Sequence, residues 1–184
     1  MASAELLQRA KPIRFLSCDV DGVLTDGRIY FGAGGAEWKA FAVIDGLGLK
    51  MLERSGILVA WISGRRSEAV ARRASELGIR HLVEGADDKL APWQRLLREL
   101  KLSAEQCAHM GDDLPDLPLL ERCGFAATVP HAPEVVKRSA DYVTTVPAGH
   151  GAVRELCELV LSAQGLLELR QAEFRTGAAA GAAP

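Results

Sequence analysis

Apolar runs of strand length alternate along this chain with segments whose apolar residues recur at helical spacing. Ile13 to Val20 is the first such run; a short helix over Met1–Ala10, with Leu6 and Leu7 inward, leads into it through Pro12. Arg28–Phe31 and Glu37–Val43 read as two strands joined by Gly32-Ala33-Gly34-Gly35, a hairpin signal. Asp45 is placed to cap a helix running through Ser55, with Leu49, Met51 and Leu52 buried and Gly56 as the stop. Ile57–Ile62 is uninterrupted by polar side chains, as expected of a parallel strand covered on both faces. A helix over Ser67–Leu77 closes at Gly78, and Arg80–Val83 is a short strand. Asp87–Leu100 is helical with Pro92 near its first turn, and Ser103-Ala104-Glu105-Gln106 resembles a capping box on a single turn. Ala108–Met110 is a strand. Pro115–Cys123, Phe125–Val129, Ala132–Ser139 and Tyr142–Thr144 continue the alternation, and a final helix spans about Gly151–Glu173.

Strands alternating with helices imply an α/β fold with a parallel sheet and right-handed crossovers. Ligands of such sheets sit outside the carboxyl ends of the strands. Asp19, Ser63 and Asp112 each fall at such an end, so polar groups from three distant segments converge on one rim. Asp19 and Asp21 stand one residue apart where the first strand turns at Gly22. Two carboxylates that close cannot both stay ionised unless a proton or cation neutralises them. Mg²⁺, which takes oxygen ligands, would do so.

Composition narrows the class. With 48% hydrophobic and 25% charged residues in a 184-residue chain, a single globular domain with a substantial core is expected. A net charge of −2 without a basic block points away from nucleic acid and anionic membranes. No apolar run approaches the roughly 20 residues of a membrane span, and Met1–Arg14 lacks a secretory signal pattern. Cys18, Cys107, Cys123 and Cys157 are dispersed, which suits free thiols in a reducing cytoplasm. The expected domain spans 1–176, and the Gly/Ala-rich residues 177–184 form an expected flexible tail.

Asp19-Val20-Asp21-Gly22-Val23 is similar, position by position, to the first motif of the haloacid dehalogenase (HAD) phosphohydrolases. The resemblance implies that Asp19 is the nucleophile and Asp21 the general acid/base. That chemistry is coherent: a carboxylate attacks phosphorus, and a second carboxyl group protonates the leaving alkoxide and then activates water. Ser63 occupies the place of the second motif, where a hydroxyl donates to a phosphoryl oxygen, and Lys89 that of the third, a lysine that neutralises charge on Asp19. Gly111-Asp112-Asp113-Leu114-Pro115-Asp116 is similar to the fourth. By resemblance Asp112 ligates Mg²⁺ beside Asp19 and the backbone carbonyl of Asp21, while Asp113 or Asp116 holds metal-bound water or orients the lysine. Arg65, beside Gly64, and Arg73 are candidates for an anionic substrate, since a guanidinium binds carboxylate or phosphate in bidentate fashion. His81, His109, His131 and His150 lack metal-ligand spacing and read as structural or surface residues.

The segments between motifs are too short for the cap domain of many HAD enzymes. The implied fold is therefore a Rossmannoid parallel sheet with helices on both faces, no cap, and a β-hairpin after the first strand. The hairpin carries Ile29, Tyr30, Phe31, Trp38 and Phe41, more apolar surface than a free-standing hairpin sustains in water, so it closes over the site or meets a partner subunit. From Ile13 to Leu167 the resemblance narrows. K-A-F-x-V-x-D-G-x-G-L, I-S-G-R, G-D-D-L-x-D and Gly149-His150-Gly151-Ala152-Val153-Arg154-Glu155 look like those of the 3-deoxy-D-manno-octulosonate 8-phosphate phosphatases. That resemblance implies a cytoplasmic homotetramer acting on a phosphorylated acidic sugar in lipopolysaccharide synthesis. A phosphatase for a nine-carbon sialic-acid-type 9-phosphate, and a non-catalytic HAD-like assembly domain, are the alternatives.

Overall fold

The structure, a computed structural model, describes residues 3–176. Its elements in chain order are α1 (Ala4–Ala10), β1 (Phe15–Cys18), β2 (Tyr30–Phe31), β3 (Glu37–Trp38), α2 (Val43–Arg54), β4 (Leu58–Ile62), α3 (Glu68–Leu77) and β5 (His81–Val83). They continue with α4 (Leu90–Leu100), β6 (Cys107–Met110), α5 (Leu117–Leu120), β7 (Phe125–Thr128), α6 (Glu134–Arg138), β8 (Tyr142–Val143), α7 (Ala152–Ala163) and α8 (Leu167–Arg175).

Six strands form one parallel sheet in the order β5-β4-β1-β6-β7-β8. β1 runs between β4 and β6, with Cys18 opposite Trp61 on one side and Met110 on the other. Strand order reverses between β1 and β6. The carboxyl ends of parallel strands splay apart at such a switch point and leave a crevice. The loops carrying Asp19 and Asp112 open onto it.

The two-residue period of the strands sorts their side chains into two apolar layers. Leu16, Cys18, Val59, Trp61, Ala108 and Met110 pack with residues of α2, α3 and α7. Phe15, Ala60, Ile62 and Cys107 pack with Trp93, Leu96 and Leu97 of α4 and Leu119 of α5. Phe41 also turns inward, its ring stacked on Trp61 at 6.2 Å between centroids.

Three local departures from the sequence expectation have physical causes. The hairpin is short: β2 and β3 pair over two residues each, and the Gly32–Gly35 link contains a 3₁₀ turn. Phe41 leaves the hairpin for the core. Asp45 lies inside the first turn of α2 and does not cap it; its buried Oδ1 instead accepts the backbone N–H of Arg154 at 2.7 Å, serving one of the unpaired N–H groups that open α7. The last helix is two. Gly165, with φ of +69°, adopts a left-handed conformation, and Leu166 N–H returns to Leu161 O at 2.8 Å, ending α7 before α8 begins. The Gly/Ala-rich tail expected over 177–184 lies outside the described residues. Among the described residues no helix is long and apolar enough to cross a membrane.

Candidate active site

The acidic loop is shaped before its carboxylates are placed. Leu24 and Thr25 N–H groups both return to Val20 O at 3.0 Å, winding the chain into a tight turn after β1. Thr25, fully buried, accepts the N–H groups of Gly22 and Gly27 at 3.3 Å each. Gly22 has φ of +94°, and a Cβ there would lie 2.1 Å from Asp112 Oδ2. Glycine is thus required twice, for the turn and for the approach of the fourth-motif loop. Gly111 has a similar duty: a Cβ would fall 2.2 Å from the Asp116 Cβ.

Asp19, Asp112 and Asp116 each contribute an oxygen to a group lying within 4.8 Å of one another. Lys89, at the start of α4 and only 5% exposed, places its Nζ 2.7 Å from Asp19 Oδ1 and 2.7 Å from Asp116 Oδ1. Asp116 is further held by the N–H of Asp112 at 3.2 Å and by His109 Nε2 at 3.2 Å. When ionised, the three carboxylates outnumber the one ammonium of Lys89. Burial raises the pKa of Asp19, reinforced by the charge of Asp116 and opposed by Lys89. Asp112 is pushed up to about 8, first by burial and then by the charges of Asp19 and Asp116. Burial acts the same way on Asp116, but the hydrogen bond and charge of His109 and the charge of Lys89 outweigh it and bring that group down to about 2. Lys89 is held above its usual range: burial lowers it, and Asp19 and Asp116 more than compensate. A donor set of hard oxygens with this charge excess fits a divalent cation.

Asp21 is turned away from that cluster. Its Oδ1 pairs with the ammonium of Lys39, whose side chain is fully buried, and its Oδ2 is buried without a hydrogen-bond partner among the described residues. Lys39 also approaches Glu37 Oε1 at 3.4 Å, and Glu37 Oε2 takes Arg65 Nη2 at 2.9 Å. The hairpin is thereby tied to the rim by a chain of charges. The hydrogen bond from Arg65 lowers the pKa of Glu37, opposed by burial. Ser63 is buried after β4, and its Oγ accepts the N–H of Arg65 at 3.1 Å. Gly64 is exposed beside it. Arg73 lies farther along α3, where it reaches Glu76 at 3.4 Å and packs on Gly46 of α2. Asp113 is exposed and its Oδ1 accepts the N–H of Leu114 at 2.8 Å, so of the two alternatives for the lysine partner the contact falls to Asp116.

The structure therefore brings Asp19, Lys89, Asp112 and Asp116 together, with Asp21, Ser63, Gly64 and Arg65 around them. Lys39, Glu37 and His109 were given no role by the sequence. A lone lysine in a hairpin and a histidine inside an apolar strand carry no local signal of what they will touch.

An open parallel sheet with a carboxylate pair after β1, a lysine-bridged acidic loop after β6 and no large insertion defines a haloacid dehalogenase-like hydrolase. The profile described as haloacid dehalogenase-like hydrolase matches residues 73–156. The chain is 48% identical over 164 residues to 3-deoxy-D-manno-octulosonate 8-phosphate phosphatase KdsC of Yersinia pestis, covering 89% of this chain and 88% of that one. It is 46% identical over 166 residues to the KdsC of Escherichia coli K12, covering 90% and 88%. The crystal structure of the Moraxella catarrhalis phosphatase, in complex with magnesium ion, phosphate ion and KDO, superposes with a TM-score of 0.91 at 47% identity, covering 94% of this chain and 99% of that one. The chain belongs to the 3-deoxy-D-manno-octulosonate 8-phosphate phosphatase family and is a phosphoric monoester hydrolase.

Proposed function

We propose that this enzyme is a Mg²⁺-dependent phosphatase that releases phosphate from 3-deoxy-D-manno-octulosonate 8-phosphate through an aspartyl-phosphate on Asp19, in the cytoplasm, as a step of lipopolysaccharide synthesis. The observation that carries the reading is Lys89 held between Asp19 and Asp116 at 2.7 Å from each, beside Asp112. Asp19, Asp112 and the Asp21 backbone carbonyl would hold Mg²⁺, which when bound offsets charge on the phosphoryl oxygens. Asp19 attacks phosphorus. Asp21 protonates the leaving sugar oxygen and then takes a proton from the attacking water. Lys89 and the Ser63 hydroxyl steady the phosphoryl oxygens, and Asp116 orients Lys89. Asp113 stays at the edge of this arrangement, where it could hold metal-bound water. Arg65 and Gly64, next to Ser63, are the proposed contacts of the sugar acid; Arg73, paired with Glu76 along α3, is the more distant candidate.

A homotetramer is part of the proposal. Phe31 is 74% exposed, Trp38 65% and Val43 78%, with Ile29, Tyr30 and Ile44 nearby, a patch that second copies of this chain would cover. Sedimentation at micromolar concentration tests it: Phe31→Ser with Trp38→Ser should shift the wild-type tetramer toward smaller species, and a wild-type monomer would overturn it. The substrate is tested by phosphate release from the eight-carbon 8-phosphate, a nine-carbon 9-phosphate and a hexose phosphate. Preference for the eight-carbon acid is expected. Preference for the nine-carbon sugar keeps the chemistry and changes the substrate, and no release from any of them supports the assembly-domain alternative.

A further inference from the structure

His109 is the third residue of β6, in the middle of the sheet, with no exposed surface. Its side of the sheet otherwise carries an apolar layer that includes Phe15, Ile62, Cys107, Trp93 and Leu119. An aliphatic or aromatic side chain would fill that layer without a polar group to satisfy, whereas a buried imidazole is costly unless both ring nitrogens are engaged. Both are engaged. Nδ1 lies 2.9 Å from Ser17 Oγ, directly across in the register with β1, and Nε2 lies 3.2 Å from Asp116 Oδ1. A carboxylate only accepts, so Nε2 carries the hydrogen in that contact. Ser17 Oγ, itself buried and 3.3 Å from Ala108 O, can donate to or accept from Nδ1, which fixes the ring in either state.

Asp116 Oδ1 thus receives two donors, His109 and Lys89, while its Oδ2 receives the N–H groups of Asp112 at 3.2 Å and Asp113 at 3.5 Å. Without His109, the same buried oxygen would depend on Lys89 alone and draw the ammonium away from Asp19. We infer that His109 is a positioning residue for the phosphatase reaction: anchored by Ser17, it holds Asp116 so that Lys89 remains shared with the nucleophile Asp19. The inference rests on the proposed roles of Asp19 and Lys89 and adds an outer anchor to them. Its chain of contacts, Ser17 to His109 to Asp116 to Lys89 to Asp19, runs from the sheet interior to the rim.

The test compares His109→Leu, His109→Gln and His109→Asn with Phe15→Leu, an apolar change in the same layer that removes no polar group. All are assayed with an aryl phosphate and Mg²⁺, so an error in the sugar substrate appears in wild-type selectivity and leaves this comparison intact; absence of wild-type turnover would instead strike the phosphatase reading itself. Outer groups that orient active-site ligands are worth about 10- to 100-fold, so His109→Leu should lose that much kcat with KM changed less than about twofold. His109→Gln, whose amide nitrogen can take the Nε2 place, should recover most of it. His109→Asn, whose amide sits at the Nδ1 place and reaches only Ser17, should not. Phe15→Leu should lower Tm and keep kcat within about twofold. Should His109→Leu fail to fold, the Gln and Asn pair carries the test. Equal kcat for that pair, or a leucine variant that loses Tm and keeps kcat, would reduce His109 to packing and overturn the inference.

Discussion

Partly or fully buried carboxylates serve two regions of this molecule in opposite ways. At the rim, Asp19, Asp112 and Asp116 face one another and share one lysine. At the start of α7, Glu155 faces donors: the N–H of Thr145 at 2.9 Å, the N–H of Val146 at 2.9 Å, the Thr145 hydroxyl at 3.0 Å and the Tyr142 hydroxyl. Burial raises both sets. At Glu155 the hydrogen bonds from Tyr142 and the Thr145–Val146 backbone outweigh it and leave the pKa below its ordinary value, whereas at Asp112 the neighbouring charges add to it. A carboxylate that has been given its donors ties down a loop. One that has been given other carboxylates is in need of a cation, and that is where chemistry is found.

The sharpest way to break the contrast is Asp19→Asn, which removes the nucleophile and relieves the repulsion together. It should cost about 10⁴-fold or more in kcat while far-UV circular dichroism and Tm are kept; retained turnover would remove the covalent mechanism. Lys89→Met should cost about 10²- to 10³-fold in kcat, measured at saturating substrate. It should also lower Tm, because two buried carboxylates lose their partner.

Magnesium sharpens the contrast through pH. A carboxyl group whose folded pKa is raised favours the folded state below its unfolded value near 3.8, and that contribution is lost as pH climbs towards the folded value of about 8. The metal-free enzyme should therefore lose stability at Asp112 over that interval, and Mg²⁺ should restore it by replacing the proton. The rise in Tm on adding Mg²⁺ is expected to be larger at pH 8 than at pH 5; at pH 8, free metal at about 100 times its Kd adds about 2.7 kcal/mol to the unfolding free energy. An equal rise at both would contradict the assignment. Glu155→Gln is the smallest effect, about 1 kcal/mol by urea denaturation at neutral pH with kcat unchanged. Its sign is opposite: a lowered pKa contributes stability above the unfolded value near 4.5, lost as pH falls through the folded value, so wild type and variant should converge in acid.

How much of this was legible follows from the range of each interaction. Asp19 and Asp21 announce themselves because they are neighbours at a strand end, and Asp112 to Asp116 because the cluster is local. Ser63 and Lys89 acquire meaning only from their order along the chain. The sheet was readable because its buried strands are mostly apolar: β4 is an unbroken apolar run, and β1 and β6 carry one polar residue each, Ser17 and His109. Asp45 was misread as a local cap because its partner, Arg154, is 109 residues away. Gly165 was absorbed into a helix because one glycine breaks a helical pattern only when its backbone turns left-handed. His109 lies in a strand whose apolar neighbours disguise it, and its contact with Asp116 arises from how the loop after β6 folds back.

The most direct test is phosphate release from the octulosonate 8-phosphate by wild type, Asp112→Asn and Glu155→Gln, each with Mg²⁺ and with EDTA. Release by wild type and Glu155→Gln in Mg²⁺ alone, and its loss in Asp112→Asn, is the predicted result. Release that persists in EDTA, or an Asp112→Asn enzyme as active as wild type, would contradict the reading of the rim carboxylates as the metal and nucleophile site.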